Sequence, residues 1–553
     1  RQRQMCIRDS TYMYENAGSA VSQEVIDETR KEYGLDQPFL VQYAKWFTGM
    51  ATGDMGISYV SKRDVYDTFV EKLPATILLT ISSVLLTMLI SIPLGILSAV
   101  KHNRWIDYLI RFFSFIGNSM PNFFAALVLM YFLSIRLGWF PVITTDNMVL
   151  SLVLPTLTLA ISMASKYTRQ VRATILEELN KDYVKGARAR GVRGSVIIWK
   201  NVMKSSMLTI ITLLALSIGS LLGGTTIVET IFMWDGVGKM AVDAITCLLY
   251  TSDAADEGSG MSGKKVTVRK QKIKKNHIRE KLIFFTVLTL ILLIIAAIAR
   301  KLCPYDPYAQ DLLLAQKPPS AEHILGTDRY GRDMFSRVLV GSTTSIYATL
   351  LLVSIVTVTG TVIGLVCGWC GGIADTVLMR ISDLFLAFPS LVFALAVAGV
   401  LGGGIQNAII ALAVIGWPKF ARLARGLTLA QKDSPYLMAV KMSGSSVPKI
   451  LFKHILPNIA GQILVTAVLD IGTMMMELAG LSFLGLGVQP PAAEWGSMIN
   501  DGRSMLQISP WMVLAPGVAI FITVMIFNLL GDTLRDYIDP KQRAKNKREE
   551  KKK

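Results

Sequence analysis

Asp470 and Glu477 stand seven residues apart inside the apolar run 461–485, a spacing that puts both carboxylates on one helix face, two turns apart. Glu229 closes an earlier run of the same kind. Acids within runs this apolar face a cavity or a partner side chain, so these three are candidates to line a polar pathway or to accept hydrogen bonds from a neighbouring helix. Catalytic chemistry has little to work with. The histidines (His102, His277, His323, His454) are far apart, and neither an HExxH pair nor a GxxxxGK[ST] phosphate loop occurs. Cys367 and Cys370 form a CxxC without companion ligands, which reads as two small packing residues on one helix face. No catalytic residue, metal site or cofactor of the chain's own is expected.

The elements that position these acids are membrane spans. Of 553 residues, 52% are hydrophobic and 18% charged, too apolar for a soluble surface. The apolar residues gather into runs of about 20, the length that crosses a bilayer as a helix. Spans are expected near 76–100, 109–135, 149–165 and 207–228, then near 282–300, 346–370, 383–402, 406–418, 461–485 and 512–531. The short run 406–418 reaches about residue 424 if Lys419 and Arg422 snorkel. The expected fold is therefore all-α and polytopic, with four spans in the first half and six in the second. Gly360 and Gly364 suit close packing between helices.

A formal net charge of +17 invites a nucleic-acid reading, but no basic, aromatic-bearing soluble domain accompanies it. Membrane topology accounts for the charge. Residues 166–204 hold ten Lys/Arg against three acids, and 419–453 hold seven against one, which places both loops in the cytoplasm. Residues 11–75, with ten acids against six bases, fit the outer face. The Lys-rich segments 264–281 and 541–553 read as cytoplasmic.

The two basic loops align at a constant offset of 253 residues: Lys166, Arg169, Arg172, Tyr183, Arg188, Gly191 and Lys200 fall on Lys419, Arg422, Arg425, Tyr436, Lys441, Gly444 and Lys453. Seven matches in register define an internal repeat. Tyr183, Val184 and Ala187 lie at i, i+1 and i+4, as do Tyr436, Leu437 and Val440. A glycine eight residues after each tyrosine suits a left-handed helix stop, followed by a second helical stretch. The expected unit is a short helix under the membrane with an apolar knob and a basic rim. It could rest on anionic lipid headgroups or dock a soluble partner.

These residues resemble the cytoplasmic motif of ABC importer permeases: an alanine-rich helix, a fixed glycine, then a hydrophobic–proline pair, here Ile455-Leu456-Pro457-Asn458. Lys204 stands where the first half would carry that proline. HILGTDRYGRDMFSRVLVGSTTS (323–345), ELAGLSFLGLGVQPPAAEWGSMI (477–499) and NLLGDTLRDYIDP (528–540) resemble the second permease of dipeptide, oligopeptide and nickel importers. GLDQP (34–38), GDMGIS (53–58), LPAT (73–76), SMPNFF (119–124) and VETIFMWDGVG (228–238) resemble the first. The resemblance implies two type I ABC importer transmembrane domains in the bacterial cytoplasmic membrane. It also implies two separate ATP-binding subunits gripping the loops around Tyr183, Ala187, Arg188, Gly191, Tyr436, Val440, Lys441, Gly444 and Pro457. An extracytoplasmic solute-binding protein would deliver a peptide, or nickel, to a pathway lined by Glu229, Asp470 and Glu477. Asp328, Arg332 and Asp333 would belong to an external loop, where they could also simply shape a solvated turn.

An ion-coupled secondary transporter is the alternative class; it requires buried ionisable clusters or broken helices near mid-membrane, and the spans read as poor in both. The sides also fail to close. Four spans return the chain to the outer face after residue 228, yet 264–281 reads as cytoplasmic and no run between 229 and 263 is long enough to cross. The resemblance implies six spans per permease, so the first half lacks two. RQRQMCIRDS (1–10) and CLLYTSDAADE (247–257) lack apolar periodicity and resemble translated sequencing-adapter read-through. The expected organisation is a non-native leader (1–10), a truncated first permease (11–246), a non-native junction (247–260) and a second permease beginning at Met261 (261–553), with a natural fusion through a short linker as the alternative.

Overall fold

The computed structural model describes residues 37–58, 63–145, 147–249 and 277–538. Residues 1–10 lie outside these, as do 250–260 of the junction and the basic segments 264–276 and 541–553. Among the described residues the fold is all-α; the only extended pairings are two isolated antiparallel bridges, Ile57 with Asp64 and Thr327 with Asp333.

A short helix α1 (Phe39–Thr52) precedes the first bundle, formed by α2 (Val65–Val100), α3 (Trp105–Ser119), α4 (Asn122–Leu129, extended by a π turn to Arg136), α5 (Met148–Leu179), α6 (Asp182–Ala189), α7 (Met203–Phe232) and α8 (Val237–Leu249). The second bundle comprises α9 (His277–Leu302), α10 (Met334–Cys370), α11 (Gly372–Ala387), α12 (Ser390–Leu401), α13 (Ile405–Lys432), α14 (Pro435–Met442), α15 (Leu456–Phe483), α16 (Trp495–Arg503) and α17 (Trp511–Ile538). Among the described residues, seven helices are long and apolar enough to cross a membrane, and nine if α3–α4 and α11–α12 each count as one bent span. The 30-residue α7 occupies the remaining expected span, 207–228. At 13 residues, α8 is too short to cross, and it runs three residues into the segment expected as junction.

The repeat is structural. Adding 253 to the bounds of α6 gives those of α14, and each is followed by a three-residue turn, a six-residue π segment (Ile197–Val202, Ile450–Ile455) and the next long helix. The most extensive packing in each half is also equivalent: α2 crosses α5, and α10 crosses α13. Gly360 and Gly364 make the second crossing possible, since a Cβ on Gly360 would fall 2.5 Å from the Trp417 carbonyl oxygen and one on Gly364 2.8 Å from the Ala424 Cβ. Both long helices begin on a capping aspartate. Asp64 Oδ1 accepts from the Asp67 N–H (3.1 Å), and Asp333 Oδ2 accepts from the Ser336 N–H (2.8 Å).

Two expected spans are not continuous. Near 109–135 the chain bends by 104° between α3 and α4, and near 383–402 by 96° between α11 and α12. The cause is local: Met120 and Phe388 each precede a proline, and the Pro ring forces both into extended backbone (ψ 124° and 144°). The short run 406–418 extends past residue 424 as α13, and Lys419 and Arg422 within it are paired with Asp470 and Asp383 respectively. Of the CxxC pair, Cys367 is buried in α10 whereas Cys370 ends that helix exposed, so the two do not share a packed face.

Candidate functional site

Two adjoining cavities of about 530 and 440 Å³ lie where the bundles meet. The breaks of both bent spans line them, Met120–Asn122 from one half and Phe388–Ser390 from the other. The halves are fastened around this space by a stacked Phe123–Phe483 pair (centroids 5.2 Å apart), by Gly517 against the Phe124 ring, and by Asn528 Nδ2 donating to Ser119 Oγ (3.3 Å).

Asp470 and Glu477 both reach the first cavity, as their spacing requires, and Glu477 also lines the second. Asp470 is buried at 1% exposure and forms an ion pair with Lys419 through Oδ1. Its Oδ2 has no hydrogen-bond partner. Glu477 Oε1 accepts from Ser390 Oγ (3.1 Å), the first residue of α12. Lys166, the repeat partner of Lys419, lines the second cavity, within electrostatic range of Lys419. Two acids and two lysines thus share one space. This corrects the expectation that the spans are poor in buried ionisable groups and broken helices; both are present. The ionic pairing is visible only once α13 is laid against α15, which no local pattern encodes.

Glu229 is not in this lining. Fully buried, it accepts from Thr76 Oγ1 (2.9 Å) and from the Lys239 N–H (2.9 Å), while Trp234 Nε1 donates to the Ala75 carbonyl (3.0 Å). A Cβ on Gly236 or Gly238 would fall within 2.8 Å of the Glu229 carboxylate, so VETIFMWDGVG folds a turn around one acid and pins α7 to α2. Of its two expected roles, hydrogen bonding to a neighbouring helix is the one realised. Glu494 does comparable work in the second half: it caps α16 through the Ser497 N–H (2.9 Å) and accepts from Ser345 Oγ (3.1 Å) on α10. Burial pushes its carboxyl above the ordinary range.

The external-loop residues are no solvated turn either. Asp328, Arg332 and Asp333 are 4%, 3% and 3% exposed. Arg332 Nε donates to Asp328 Oδ2 (2.6 Å), whose other oxygen accepts from the Tyr330 and Arg332 N–H groups, and Asp333 Oδ1 pairs with His323 Nδ1 (3.0 Å). The charges are consumed in folding the loop and capping α10.

The repeated helices α6 and α14 exist as expected, and both stop glycines, Gly191 and Gly444, sit at φ +75°. Their orientation differs from the expected knob. Val184 (0% exposed) and Ala187 (2%) turn inward onto the π turn 197–202; Leu437 is likewise buried, and Val440 half-buried. Periodicity identifies residues that share a face, not the neighbour that covers it, and here the following turn folds back over the apolar face. The outward faces carry Lys185, Arg188 and Ala189 in α6, and Met438 and Met442 in α14. The flanking tyrosines are tied down, Tyr183 Oη to Glu178 (2.9 Å) and Tyr436 Oη to His454 Nδ1 (2.5 Å). Lys441 Nζ lies over the Trp369 ring, 4.5 Å from its centroid. Pro457 sits in the first turn of α15, where its missing N–H costs nothing.

A further element went unread in the sequence. Arg172 and Arg425 are repeat mates, and each makes a two-pronged ion pair with the first turn of its bent span: Arg172 to Asp107 (2.7 and 2.9 Å) and Arg425 to Asp375 (2.6 and 2.7 Å). The acids lie at a different offset from the arginines, so register within the basic loops could not reveal them.

Paired bundles of membrane helices, each with a helix–glycine–turn and both contributing charged residues to adjoining cavities, are the architecture of a membrane permease built by internal repeat. The chain belongs to the family of binding-protein-dependent transport system inner membrane components, whose model matches twice, at residues 91–302 and 360–544; the family's N-terminal segment matches residues 7–80. It is a multi-pass protein of the bacterial inner membrane and a permease component. Its relatives include the glutathione transport system permease protein GsiD of Pectobacterium atrosepticum, 43% identical over 46% of this chain and 85% of the relative. The dipeptide transport system permease protein DppC of Alkalihalophilus pseudofirmus is 43% identical over 41% of this chain and 74% of its own. The nickel transport system permease protein NikC of Escherichia coli is 41% identical over 46% and 92%.

Proposed function

We propose that the two halves form one pathway for di- or oligopeptides, supplied by an extracytoplasmic binding protein and driven by two separate ATP-hydrolysing subunits that grip α6 and α14. The observation carrying this reading is the duplication of the cytoplasmic helix, its stop glycine and its π turn at one offset, which suits two copies of one engine. Closure of the engines would draw the two helices together and tip the bundles between inward- and outward-facing states. The relatives' names span dipeptides, glutathione and nickel. The adjoining cavities support the peptide class, because acidic and basic side chains both line them and suit the two ends of a zwitterion. A divalent cation would meet two lysines and an aspartate already paired.

Bent spans and a buried ion pair also suit ion-coupled transport, so the experiment separates the two. Peptide uptake is expected to stop when the partner ATPase genes are deleted; persistence would favour ion coupling. Cysteines placed at Arg188 and Met442 are expected to cross-link to the ATPase subunits, whereas cysteines at Val184 and Ala187, both buried, are not. Cross-links from the buried pair alone would reject the outward faces as the grip.

A further inference from the structure

Asp470 is the more enclosed of two cavity acids that each leave one carboxylate oxygen without a hydrogen bond among the described residues. It is 1% exposed, its Oδ1 is taken by Lys419, and its Oδ2 has no partner although the residue lines the cavity. A carboxylate accepts at both oxygens, and a buried acceptor left unmatched costs about 1–3 kcal/mol. Oδ2 has almost no surface open to the cavity as the side chain stands, so a donor from the cavity removes that deficit once the carboxylate turns toward the space its residue lines. Glu477, two turns along α15, lines the same space with one oxygen on Ser390. On the other side of Glu477, the second cavity holds Lys166, which has no carboxylate partner among the described residues. Its repeat mate Lys419 has one. The repeat thus breaks at this place: residue 470 minus the offset of 253 is Ser217, and residue 477 minus the offset is Gly224, so only the second half supplies acids. The cavity is therefore polar end to end along one direction, acid-rich at α15 and cationic at α5.

We propose that this asymmetry is a two-ended receptor for short peptides: Asp470 Oδ2, with Glu477 beside it, takes the free α-ammonium, and Lys166 takes the α-carboxylate. Lys419 holds Asp470 oriented and does not bind substrate. This deepens the peptide reading above and rests on it. Charge-assisted hydrogen bonds at two fixed ends make the pore read the termini of the peptide and leave its side chains unread.

The test is photolabelling of the complete permease–ATPase complex in lipid nanodiscs, without the binding protein, so that its own selectivity does not intervene. The probe is Ala-photoleucine-Ala with both ends free, N-acetylated, or C-amidated. The unmodified complex is expected to label best with the free peptide. Asp470→Asn is expected to remove the preference for a free amine, about tenfold, and to leave the preference for a free carboxylate intact. Lys166→Gln is expected to do the reverse. Should Asp470→Asn fail to assemble, Glu477→Gln tests the same end. Preferences that stay unchanged in the variants, or that fall together at both ends, overturn the receptor and leave peptide import standing. A complex that imports nickel ion but neither imports nor labels with any of the three peptides overturns the peptide reading and the receptor with it.

Discussion

Gly444→Pro is expected to abolish uptake by the assembled transporter while the protein still inserts in the membrane. Gly444 sits at φ +75° and donates its N–H to the Lys441 carbonyl (3.0 Å), closing α14. Proline fixes φ near −65° and has no N–H, so both features are lost at once, at a cost of about 3 kcal/mol or more. The spans on either side do not depend on this residue, and a Cβ there would meet nothing within 4 Å. The damage is thus conformational and confined to the short helix and its exit. Gly444→Ala separates this from simple crowding: alanine keeps the N–H and is strained only by the left-handed backbone, by about 1–2 kcal/mol. Uptake is expected to fall in the order glycine, alanine, proline at unchanged membrane content, measured with an intact partner permease. Equal uptake by the unmodified protein and both variants would separate α14 from force transmission. Gly191, with the same φ, is expected to give the same order.

The contrast between what could and could not be read beforehand follows from the range of each interaction. Helix α14 and its stop were legible because the glycine, the tyrosine and the basic residues lie within ten positions and recur at one offset. Ten apolar runs mapped onto the spans because bilayer thickness sets a minimum length. The bends at Pro121 and Pro389 were also available locally, since a residue before proline avoids helical backbone; run length masked the signal. Contacts between distant elements were not legible. Val184 and Ala187 have the same periodicity whether they face a partner or the chain's own π turn, and only the fold-back at Ile197–Val202 decides. The carboxylates divided in the same way. Asp328 and Asp333 stabilise a turn and a helix start close by in sequence, whereas Glu229 reaches Thr76, 153 residues away, as well as its own turn, and Asp470 meets its lysine 51 residues away across two helices.

That division matters for function because it separates acids that hold the scaffold from acids left with capacity for a ligand. Glu229 and Asp328 each have both oxygens engaged. Asp470 does not. The repeat supplies a comparison within the chain, since Lys166 and Lys419 occupy equivalent helices yet, among the described residues, only Lys419 forms an ion pair with an acid on α15. Duplication built the symmetric cytoplasmic grips; loss of symmetry at residues 217/470 and 224/477 gave the cavity its direction.

Arg172→Ala is expected to be the most destabilising single change outside the apolar core, and more damaging than the equivalent Arg425→Ala. Asp107 has no exposed side-chain surface, and Arg172 is 17% exposed; their pairing is supported by Ser98 Oγ (2.5 Å) and the Asn103 N–H (3.0 Å). Removing the guanidinium leaves a buried carboxylate facing α5 without its counter-charge, which costs about 3–5 kcal/mol. In the second half Arg425 is 33% exposed and Asp375 11%, so water compensates part of the same loss. The double variant Asp107→Asn/Arg172→Gln removes both charges together and is expected to recover most of the stability, because the hydroxyl and backbone donors still find an acceptor. The measurement is thermal unfolding of the detergent-solubilised complex, with membrane content as a second readout. Equal losses at the two arginines would show that burial does not set the size of the effect. A double variant no better than Arg172→Ala would show that the charge pair itself, rather than the stranded acid, holds α3 to α5 at the base of the bent span.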